Sequence, residues 1–296
     1  MKRSEHTVLY IVLIISMALW GLSWTNGKIL GEYAATPVLM VWRFFIAAFS
    51  MIFVLIARKS TFKIKMVGVL PILGSAILMV LYNHFYFTGV RIGAAGAGGV
   101  LVTTLNPVLT FVLISSLRLT IPQGRALLGI ILGIFGGSIL INVWQDGWSA
   151  VFQAGNQYFV LCASTWAFLT LISSKISKHM SILTYSFWTY LVSALIAVLF
   201  LGESELFSVL GFDFRFWINL ISVSLGAMAF ATTAYFIAAS RLGSEKASAF
   251  IFTVPLSAMI FSMILLGEKL QWNVMLGGML SIVAVYLINS NKNTSK

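Results

Sequence analysis

Ten long apolar runs, separated by short polar breaks, constrain this chain more than any other feature of its sequence. A helix needs about 20 mostly apolar residues to cross the hydrocarbon core of a bilayer. The runs of this length lie near residues 8–27, 36–57, 66–88, 94–116, 124–143, 157–175, 181–201, 216–240, 246–266 and 272–289. Because little chain remains between them, the sequence predicts an all-α integral membrane protein with ten transmembrane helices.

Composition supports this class and excludes others. Hydrophobic residues make up 59% of the chain and charged residues 9%, whereas soluble domains have about 45–50% and about 25%. The net charge is +11, but the basic residues are scattered between the apolar runs, and nucleic-acid binding requires a clustered basic face. We therefore expect no nucleic-acid partner. The three histidines show no zinc-ligand spacing, so we expect no metal and no cofactor.

The distribution of charge predicts the orientation of the chain. If the N-terminus lies in the cytoplasm, most of the 19 Lys and Arg residues fall on the cytoplasmic side and most of the 8 acidic residues fall outside. This is the bias of the positive-inside rule. We therefore expect a multi-pass protein of the cytoplasmic (inner) membrane with both termini in the cytoplasm.

A weak internal repeat divides the chain into two predicted repeats, residues 1–147 and 148–296. Trp20 matches Trp166, and Pro107 matches Pro255, at nearly the same separation along the chain. Each half would hold five spans, an odd number, so the second half would be inverted relative to the first. Inverted repeats are typical of secondary transporters, whose substrate site lies near mid-membrane at the repeat interface.

The matched prolines mark candidate helix breaks or gating points. Each proline lacks an N–H and frees the carbonyl of the residue four positions earlier, which is Thr103 for Pro107 and Ile251 for Pro255. A freed backbone group in hydrocarbon needs a partner in the protein or in a water-filled cavity. Interrupted helices at matching positions of two halves indicate a transport site, and the alternative is a simple packing kink.

These features together resemble a known superfamily. The ten runs, a tryptophan in the first run, "RIGAAGA" (Arg91–Ala97) before a mid-run proline, and "LLGEKLQ" (Leu265–Gln271) resemble the drug/metabolite transporter superfamily. Within it the chain is similar to ten-helix EamA-type exporters, including the aromatic amino acid exporter branch. The resemblance implies a transporter of amino acids, other metabolites, sugars or drugs. The Gly-Glu pair of the second half, Gly267 and Glu268, has no equivalent in the first half.

Aromatic and small polar residues recur at helical spacing and form the candidate substrate site. An aromatic side chain with one hydrogen-bonding group suits a small amphipathic solute, and a ring face can hold an ammonium group. The alternative interpretation is an aromatic belt at the membrane interface or helix packing through small polar residues. The candidates are Trp20, Trp24, Tyr82, Asn83, Tyr86, Thr104, Asn106, Trp166, Thr170, Tyr235 and Phe252.

Two ionisable residues lie inside apolar runs. Arg43 follows Pro37 by six residues, about 9 Å along a helix, from where an arginine can extend to the outer surface. We expect a structural anchor or a partner for an outward acidic residue in preference to a substrate ligand, and a coupling charge is the alternative. His84 is expected to be a hydrogen-bonded wall residue, with a proton relay as the alternative. No Asp or Glu lies in the middle of a run.

These patterns favour a secondary transporter that exports small organic solutes by alternating access, with amino acids, aromatic ones among them, as the favoured cargo. A multidrug or other metabolite exporter is the alternative. A membrane-embedded enzyme would need a catalytic set at membrane depth, and the runs contain none. A receptor or scaffold would need neither inverted halves nor matched prolines. The expected partners are the small-molecule substrate and the lipid bilayer, with the chain as a monomer or homodimer.

Overall fold

The computed structural model describes residues 3–117, 124–153, 155–176, 180–242, 250–251 and 253–290. Within these ranges the chain forms helices and no strand, which confirms the all-α prediction. The helices of the first half are α1 (Arg3–Gly31), α2 (Thr36–Ala57), α3 (Met66–Ile92), α4 (Ala95–Leu117) and α5 (Arg125–Leu140).

A short helix, α6 (Val143–Asp146), and a 3-10 turn (Gly147–Phe152) lead into the second half. Its helices are α7 (Asn156–Ile176), α8 (Ile182–Val198), α9 (Phe214–Ile221), α10 (Thr233–Leu242), α11 (Thr253–Leu266) and α12 (Trp272–Ser290). A π-helical segment (Ser222–Thr232) joins α9 to α10 without a break. Nine of the apolar runs each coincide with one of these helices, although much of the run 246–266 before α11 lies outside the described residues, and the run 216–240 spans α9, the π-helical segment and α10.

Five helical segments of the described chain are long and apolar enough to cross a membrane. These are Val8–Gly31, Thr36–Ala57, Met66–Ile92, Ala95–Leu117 and Phe214–Tyr235. Four further helices are apolar but shorter, namely Arg125–Leu140, Ile182–Val198, Thr253–Leu266 and Trp272–Ala284. The count of ten spans therefore stays a prediction. Large apolar side chains cover the outside of the bundle, as Phe45, Phe49 and Phe53 do on successive turns of α2, each more than half exposed.

The helices of the two halves pack on each other in matching pairs. Helix α2 contacts α8, α4 contacts α11, and α5 contacts α12. Helix α1 lies against the π-helical segment and α11, and α7, its counterpart in the second half, lies against α3 and α4. The predicted two-repeat organisation would make each of these pairs a contact between helices of different repeats. The packing places α1 and α7 at the centre, and these helices carry Trp20 and Trp166.

Glycines allow close contact between α5 and α12. A Cβ on Gly277 would lie 2.6 Å from the carbonyl oxygen of Gly136, and one on Gly136 would lie 2.9 Å from the carbonyl oxygen of Gly277. Gly137 has nothing within 4 Å of its Cβ position. Backbones therefore approach at this interface because side chains are absent at particular positions, as in other membrane bundles.

Candidate functional site

A cavity lies at the centre of the bundle, between α1, α2, α3, α4, α7 and the π-helical segment. It offers about 70 Å³ to the centres of water-sized molecules. A single water needs about 10–15 Å³ by the same measure, so the cavity has room for several waters or a small solute. Its walls are formed by Trp20, Ser23, Trp24, Arg43, Met79, Tyr82, Asn83, Val102, Thr103, Asn106, Trp166, Ala227, Met228, Thr232 and Ile251.

The structure brings many of the candidate residues to this one cavity. They come from helices of both halves, with α1, α3 and α4 on one side and α7 on the other. The candidates that line the cavity are Trp20, Trp24, Tyr82, Asn83, Asn106 and Trp166. Helical spacing thus selected side chains that share a site, although they lie far apart in the sequence.

Two candidate tyrosines lie behind the wall. The Tyr86 ring packs edge-on against Trp24 with 5.0 Å between centroids, and its hydroxyl donates to the carbonyl oxygen of Ser23. Tyr235 packs against Trp20 with 5.3 Å between centroids. These tyrosines therefore hold the two α1 tryptophans in position and do not border the cavity.

The remaining candidates do not reach the cavity in the described chain. Thr104 is buried and donates to the carbonyl of Val100 at 2.7 Å. Thr170 donates to the carbonyl of Trp166 at 2.8 Å. Both hydroxyls thus satisfy the backbone of their own helices, a common use of threonine in apolar helices. Phe252 lies outside the described residues.

An aromatic cluster forms one wall of the cavity. Trp20 and Trp166, from the two halves, meet edge to face with centroids 6.1 Å apart, and Tyr82 lies 4.9 Å from Trp166. The indole N–H of Trp20 donates to the carbonyl oxygen of Ala227 at 3.0 Å. Because this donor is occupied, Trp20 can offer a solute only its ring.

Arg43 borders the cavity and is 5% exposed. Its Nη1 donates to Oδ1 of Asn83 at 2.9 Å, and its guanidinium carbon lies 5.0 Å from the centroid of Tyr86 and 5.6 Å from that of Phe87. Its Nε has no partner among the described residues. The expected extension to the outer surface is therefore wrong, because the side chain turns into the bundle and bonds an amide there.

The orientation of Asn83 explains how it meets a cation. Its Nδ2 donates to the carbonyl oxygen of Met79 at 2.8 Å, one turn earlier in α3, and the residue is fully buried. With the amide nitrogen held by its own helix, the oxygen is left to face Arg43. Asn83 thus holds one guanidinium nitrogen without neutralising the charge.

The matched prolines lie next to the cavity. Pro107 is inside α4, and Pro255 lies near the start of α11 as described. The residues four positions earlier, Thr103 and Ile251, both line the cavity. Helices α4 and α11 also contact each other. The backbone positions that the prolines perturb are therefore at the candidate site, on opposite halves of the chain.

His84 lies away from the cavity. It is half-buried, and its ring is near Phe85 and Phe200, with centroids 5.9 Å and 6.5 Å apart. Its Nδ1 has no hydrogen-bond partner among the described residues. The hydrogen bond expected for a wall residue is therefore not present at this nitrogen, and the position does not favour a relay through the cavity.

Several residues that line the cavity are not among the candidates predicted from the sequence. They include Ser23, Met79, Val102, Ala227 and Met228. Ser23 and Met79 were within reach of the same reasoning, because they lie three residues from Trp20 and Tyr82 on shared helix faces. Ala227 and Met228 have no comparable signal, since they enter the site through a π-helical segment inside an ordinary apolar run.

The π-helical segment exposes carbonyl groups to side chains from other helices. The oxygen of Ala227 accepts from Trp20, and the oxygen of Met228 accepts from the Tyr190 hydroxyl at 3.1 Å. At the start of the segment, Nδ2 of Asn26 donates to Oγ of Ser222 at 2.7 Å. π-Helical turns occur frequently at functional sites, and here one forms part of the cavity wall.

Polar contacts join the two halves at the end of the bundle where α1 terminates. The carboxylate of Glu268 accepts from the backbone N–H of Ala95 at 2.8 Å and of Gly96 at 2.9 Å, at the start of α4. Lys28 lies 3.5 Å from the same carboxylate and donates to the carbonyl oxygen of Gly93 at 2.6 Å. We call these residues the Glu268 latch.

A second set of contacts lies at the same end. The Tyr33 hydroxyl donates to Asp213 at 3.1 Å, and Arg215 lies 3.7 Å from Glu32. Asp213 also caps α9 by accepting from the N–H of Phe216 at 3.0 Å. This backbone hydrogen bond, followed by that from Tyr33, holds the pKa of Asp213 below its usual value. Partial burial, and then the bond to Asp213, raises the pKa of Tyr33.

The described residues contain no group of three or more His, Cys, Asp or Glu side chains arranged to hold a metal ion. Cys162 is a buried free thiol that donates to the carbonyl oxygen of Tyr82 at 3.4 Å. It thus packs behind the aromatic wall.

Comparison with known proteins finds one matching family. The model of the EamA-like transporter family matches two successive stretches, residues 7–143 and 153–290. Among similar proteins, the "Uncharacterized transporter YoaV" of Bacillus subtilis is 24% identical, over 93% of this chain and 94% of that protein. An "Uncharacterized transporter" of Archaeoglobus fulgidus is 22% identical, over 96% of this chain and 98% of that protein.

The fold also resembles that of a protein with a known crystal structure. The two chains superpose with a TM-score of 0.68 over 95% of this chain and 96% of the other, at 16% sequence identity. At this identity the likeness concerns the fold alone.

Proposed function

Because the chain belongs to the EamA-like transporter family, we propose that it is a secondary transporter which exports small organic solutes across the cytoplasmic membrane by alternating access. The family points to a multi-pass membrane transporter and not to an enzyme, and similar proteins are described as transporters. Export, the cargo and the orientation are the parts that we add.

The central cavity is the observation that carries this proposal. It lies where helices of the two halves meet, and its walls are mostly apolar and aromatic with a few polar groups, which is typical of small-molecule sites. Trp20 precedes Lys28 of the Glu268 latch by eight residues, so the cavity lies about 12 Å along α1 from that end. This depth fits a site in the hydrocarbon core, which is about 30 Å thick.

Alternating access would require the contacts at the end where α1 terminates to break and reform. The bias of Lys and Arg places the Glu268 latch outside, and in this arrangement the latch and the Tyr33–Asp213 bond hold the two halves together there. Export requires these contacts to separate while the halves close at the cytoplasmic end. The matched prolines, next to Thr103 and Ile251, are suited to let α4 and α11 bend at the cavity.

Amino acids, aromatic ones among them, are the favoured cargo. The cavity of about 70 Å³ suits one small metabolite, and the rings of Trp20, Trp166 and Tyr82 can hold an apolar body or an ammonium group. The same aromatic wall would also accept a flat hydrophobic drug, so a multidrug or other metabolite exporter is the alternative.

Flux measurements in proteoliposomes test the proposal. Labelled phenylalanine, tryptophan, threonine and methionine are loaded separately, with and without a pH gradient. We expect saturable flux that is abolished in Trp20→Ala and Trp166→Ala, because both rings form the cavity wall. Trp144→Ala and Trp272→Ala are the controls, since these tryptophans are 69% and 75% exposed and do not border the cavity.

Each outcome has a distinct meaning. Absence of flux for all four solutes would reject the amino acid cargo and leave other metabolites and drugs to be tested. Equal losses in the cavity variants and in the exposed controls would reject the cavity as the transport site. A dependence of the flux on the pH gradient would indicate proton coupling.

A further inference from the structure

We propose that Arg43, held in position by Asn83, binds the carboxylate group of the transported solute, so that the cargo is a small carboxylate with an apolar or aromatic body. This inference rests on the proposed function, because it names the class of solute that the cavity selects. It assigns a specificity-determining role to an arginine for which the sequence alone favours a structural anchor.

The first argument is the uncompensated charge of Arg43. Its side chain is about as buried as the apolar core, at 5% exposure. Among residues whose side chains are described, no Asp or Glu oxygen lies within 4.0 Å of its guanidinium nitrogens, and the ion pairs found involve Lys28 and Arg215 instead. Buried charges in proteins are normally paired. A cation that borders a solute-sized cavity without a carboxylate therefore favours an anionic ligand.

The second argument is the hydrogen-bonding capacity that Arg43 keeps. A guanidinium carries five N–H donors in a planar fork. In the described chain, Nη1 bonds Asn83, Nε has no partner, and the rings of Tyr86 and Phe87 lie at 5.0 Å and 5.6 Å. The planar fork matches the two oxygens of a carboxylate. Asn83 holds the guanidinium in place through one nitrogen, and no carboxylate of the described side chains pairs with the others.

The third argument is the contrast between Arg43 and the rest of the wall. The indole N–H of Trp20 is occupied by Ala227, so the tryptophan presents an apolar surface to the cavity. Trp166 and Tyr82 extend this surface. The cavity thus combines one cationic group with an aromatic wall. A solute with a carboxylate and an apolar body fits both, whereas a cationic amphiphile would face a like charge in a medium of low dielectric constant.

A purely structural role for Arg43 makes a different prediction. If the arginine only stabilised α2 against α3 through Asn83 and the two rings, its replacement would weaken the binding of all solutes alike. A carboxylate site instead predicts that replacement removes the preference for acids over their amides. The ratio of the two affinities, measured in one protein sample, therefore separates the roles.

The experiment is a binding titration of the purified full chain in detergent, followed by intrinsic tryptophan fluorescence, since Trp20, Trp24 and Trp166 line the cavity. The probes are phenylalanine, 3-phenylpropionate (the carboxylate without the amine) and phenylalaninamide (the amine without the carboxylate). For the wild type we expect the carboxylates to bind about ten- to hundred-fold more tightly than the amide, the range of a hydrogen bond to a charged group.

Two variants and one control complete the design. Arg43→Gln should lower the affinity for the carboxylates to that for the amide, with little effect on the amide. Asn83→Asp should do the same while Arg43 is retained, because the new carboxylate occupies the guanidinium, and this variant serves if Arg43→Gln does not fold. Arg58→Gln neutralises an exposed arginine outside the cavity and should leave the preference for acids unchanged.

The outcomes separate this inference from the proposed function. Equal affinity of the wild type for acid and amide, or an acid preference that persists in both variants, would overturn the carboxylate site. If phenylalanine binds more tightly than both 3-phenylpropionate and phenylalaninamide, the site is supported and its ligands are amino acids. If 3-phenylpropionate binds as tightly as phenylalanine, the site is supported and its ligands are simple carboxylates. Carboxylate binding that depends on Arg43, without flux in proteoliposomes, would refute transport of these solutes and leave the site intact.

Discussion

Replacement of Glu268 by glutamine should open the bundle at the end that we assign to the outside. The Glu268 carboxylate belongs to the second half and accepts two backbone N–H groups, of Ala95 and Gly96, at the start of α4 in the first half. Lys28 lies 3.5 Å away, and the Glu268 side chain is 17% exposed. The substitution keeps the size and one acceptor of the side chain and removes its charge.

The free energy that the closed arrangement loses on this substitution follows from these contacts. Hydrogen bonds to a charged group contribute about 1.5–3 kcal/mol, and neutral ones about 0.5–1.5 kcal/mol. An anion at a helix N-terminus contributes about 0.3–1 kcal/mol, a partly overlapping effect. Since glutamine can replace only one of the two acceptors, we expect the closed arrangement to lose about 2–3 kcal/mol. At about 1.4 kcal/mol per factor of ten, the population open at this end would rise by about 30- to 140-fold.

Cysteine labelling measures this change in accessibility. Cys162 is the only cysteine of the chain and is buried, so Cys162→Ser gives a background without reactive thiols. Thr103→Cys then places one thiol at the cavity wall, and a membrane-impermeant reagent is added from outside. We expect labelling to be at least about thirtyfold faster with Glu268→Gln, the lower end of the range derived from the lost bonds.

A matched control tests the reasoning. Glu203→Gln removes another carboxylate from an exposed loop position, with no ion pair or side-chain hydrogen bond of Glu203 found in the described chain. This variant should label at the wild-type rate. An unchanged rate in Glu268→Gln, or an equal increase in the Glu203 control, would show that the Glu268 latch does not hold this end closed.

Three further outcomes can be measured on the same protein. Gly277→Val should lower the free energy of unfolding by about 1–3 kcal/mol, because its Cβ would lie 2.6 Å from a carbonyl oxygen of α5. Gly137→Ala should not lower it, because the space around that Cβ position is open. Chemical denaturation of both variants in detergent measures the difference. The pKa of Asp213 is lowered, so its contribution to stability is full above its unfolded pKa of about 3.9 and is lost as the pH falls through the folded value. Below about pH 4 the melting temperature of the wild type should therefore fall more steeply than that of Asp213→Asn, and parallel curves would contradict this. Pro107→Ala restores a backbone N–H beside the cavity and should reduce flux without lowering the melting temperature; unchanged flux would argue that this proline is only a packing kink.

The sequence predicted the helices well because apolar runs and their breaks are local features. Helix α2 begins and ends as expected, at Thr36 and Ala57, since Pro37 suits a first helical turn and the charged Arg58 follows the apolar run. The π-helical segment could not be predicted in the same way. It forms part of the run 216–240, and its carbonyl groups bond Trp20 and Tyr190, which belong to other helices.

The aromatic part of the site was predictable for a related reason. Residues three or four apart share a helix face, and this spacing identified Trp20, Tyr82 and Trp166 before their helices could be placed. It could not decide which members border the cavity. Tyr86 lies four residues from Tyr82 and so shares its helix face. Its hydroxyl nevertheless bonds the backbone of Ser23, and its ring supports Trp24 from behind.

The side chain of Arg43 shows which further signal the sequence contained. Depth along a helix suggested an anchor at the surface, but depth does not say which way a side chain points. Phe45, Phe49 and Phe53 form an exposed stripe on α2, and such a stripe marks the face toward lipid. At about 100° per residue, Arg43 lies about 160° from Phe45 and about 120° from Phe49, the middle of the stripe. An arginine so far round the helix from the lipid face points into the bundle, where it needs an amide, an acidic residue or a solute as its partner. In the described chain it has the amide of Asn83 and no acidic residue, and this leaves the anionic group to be supplied by the solute.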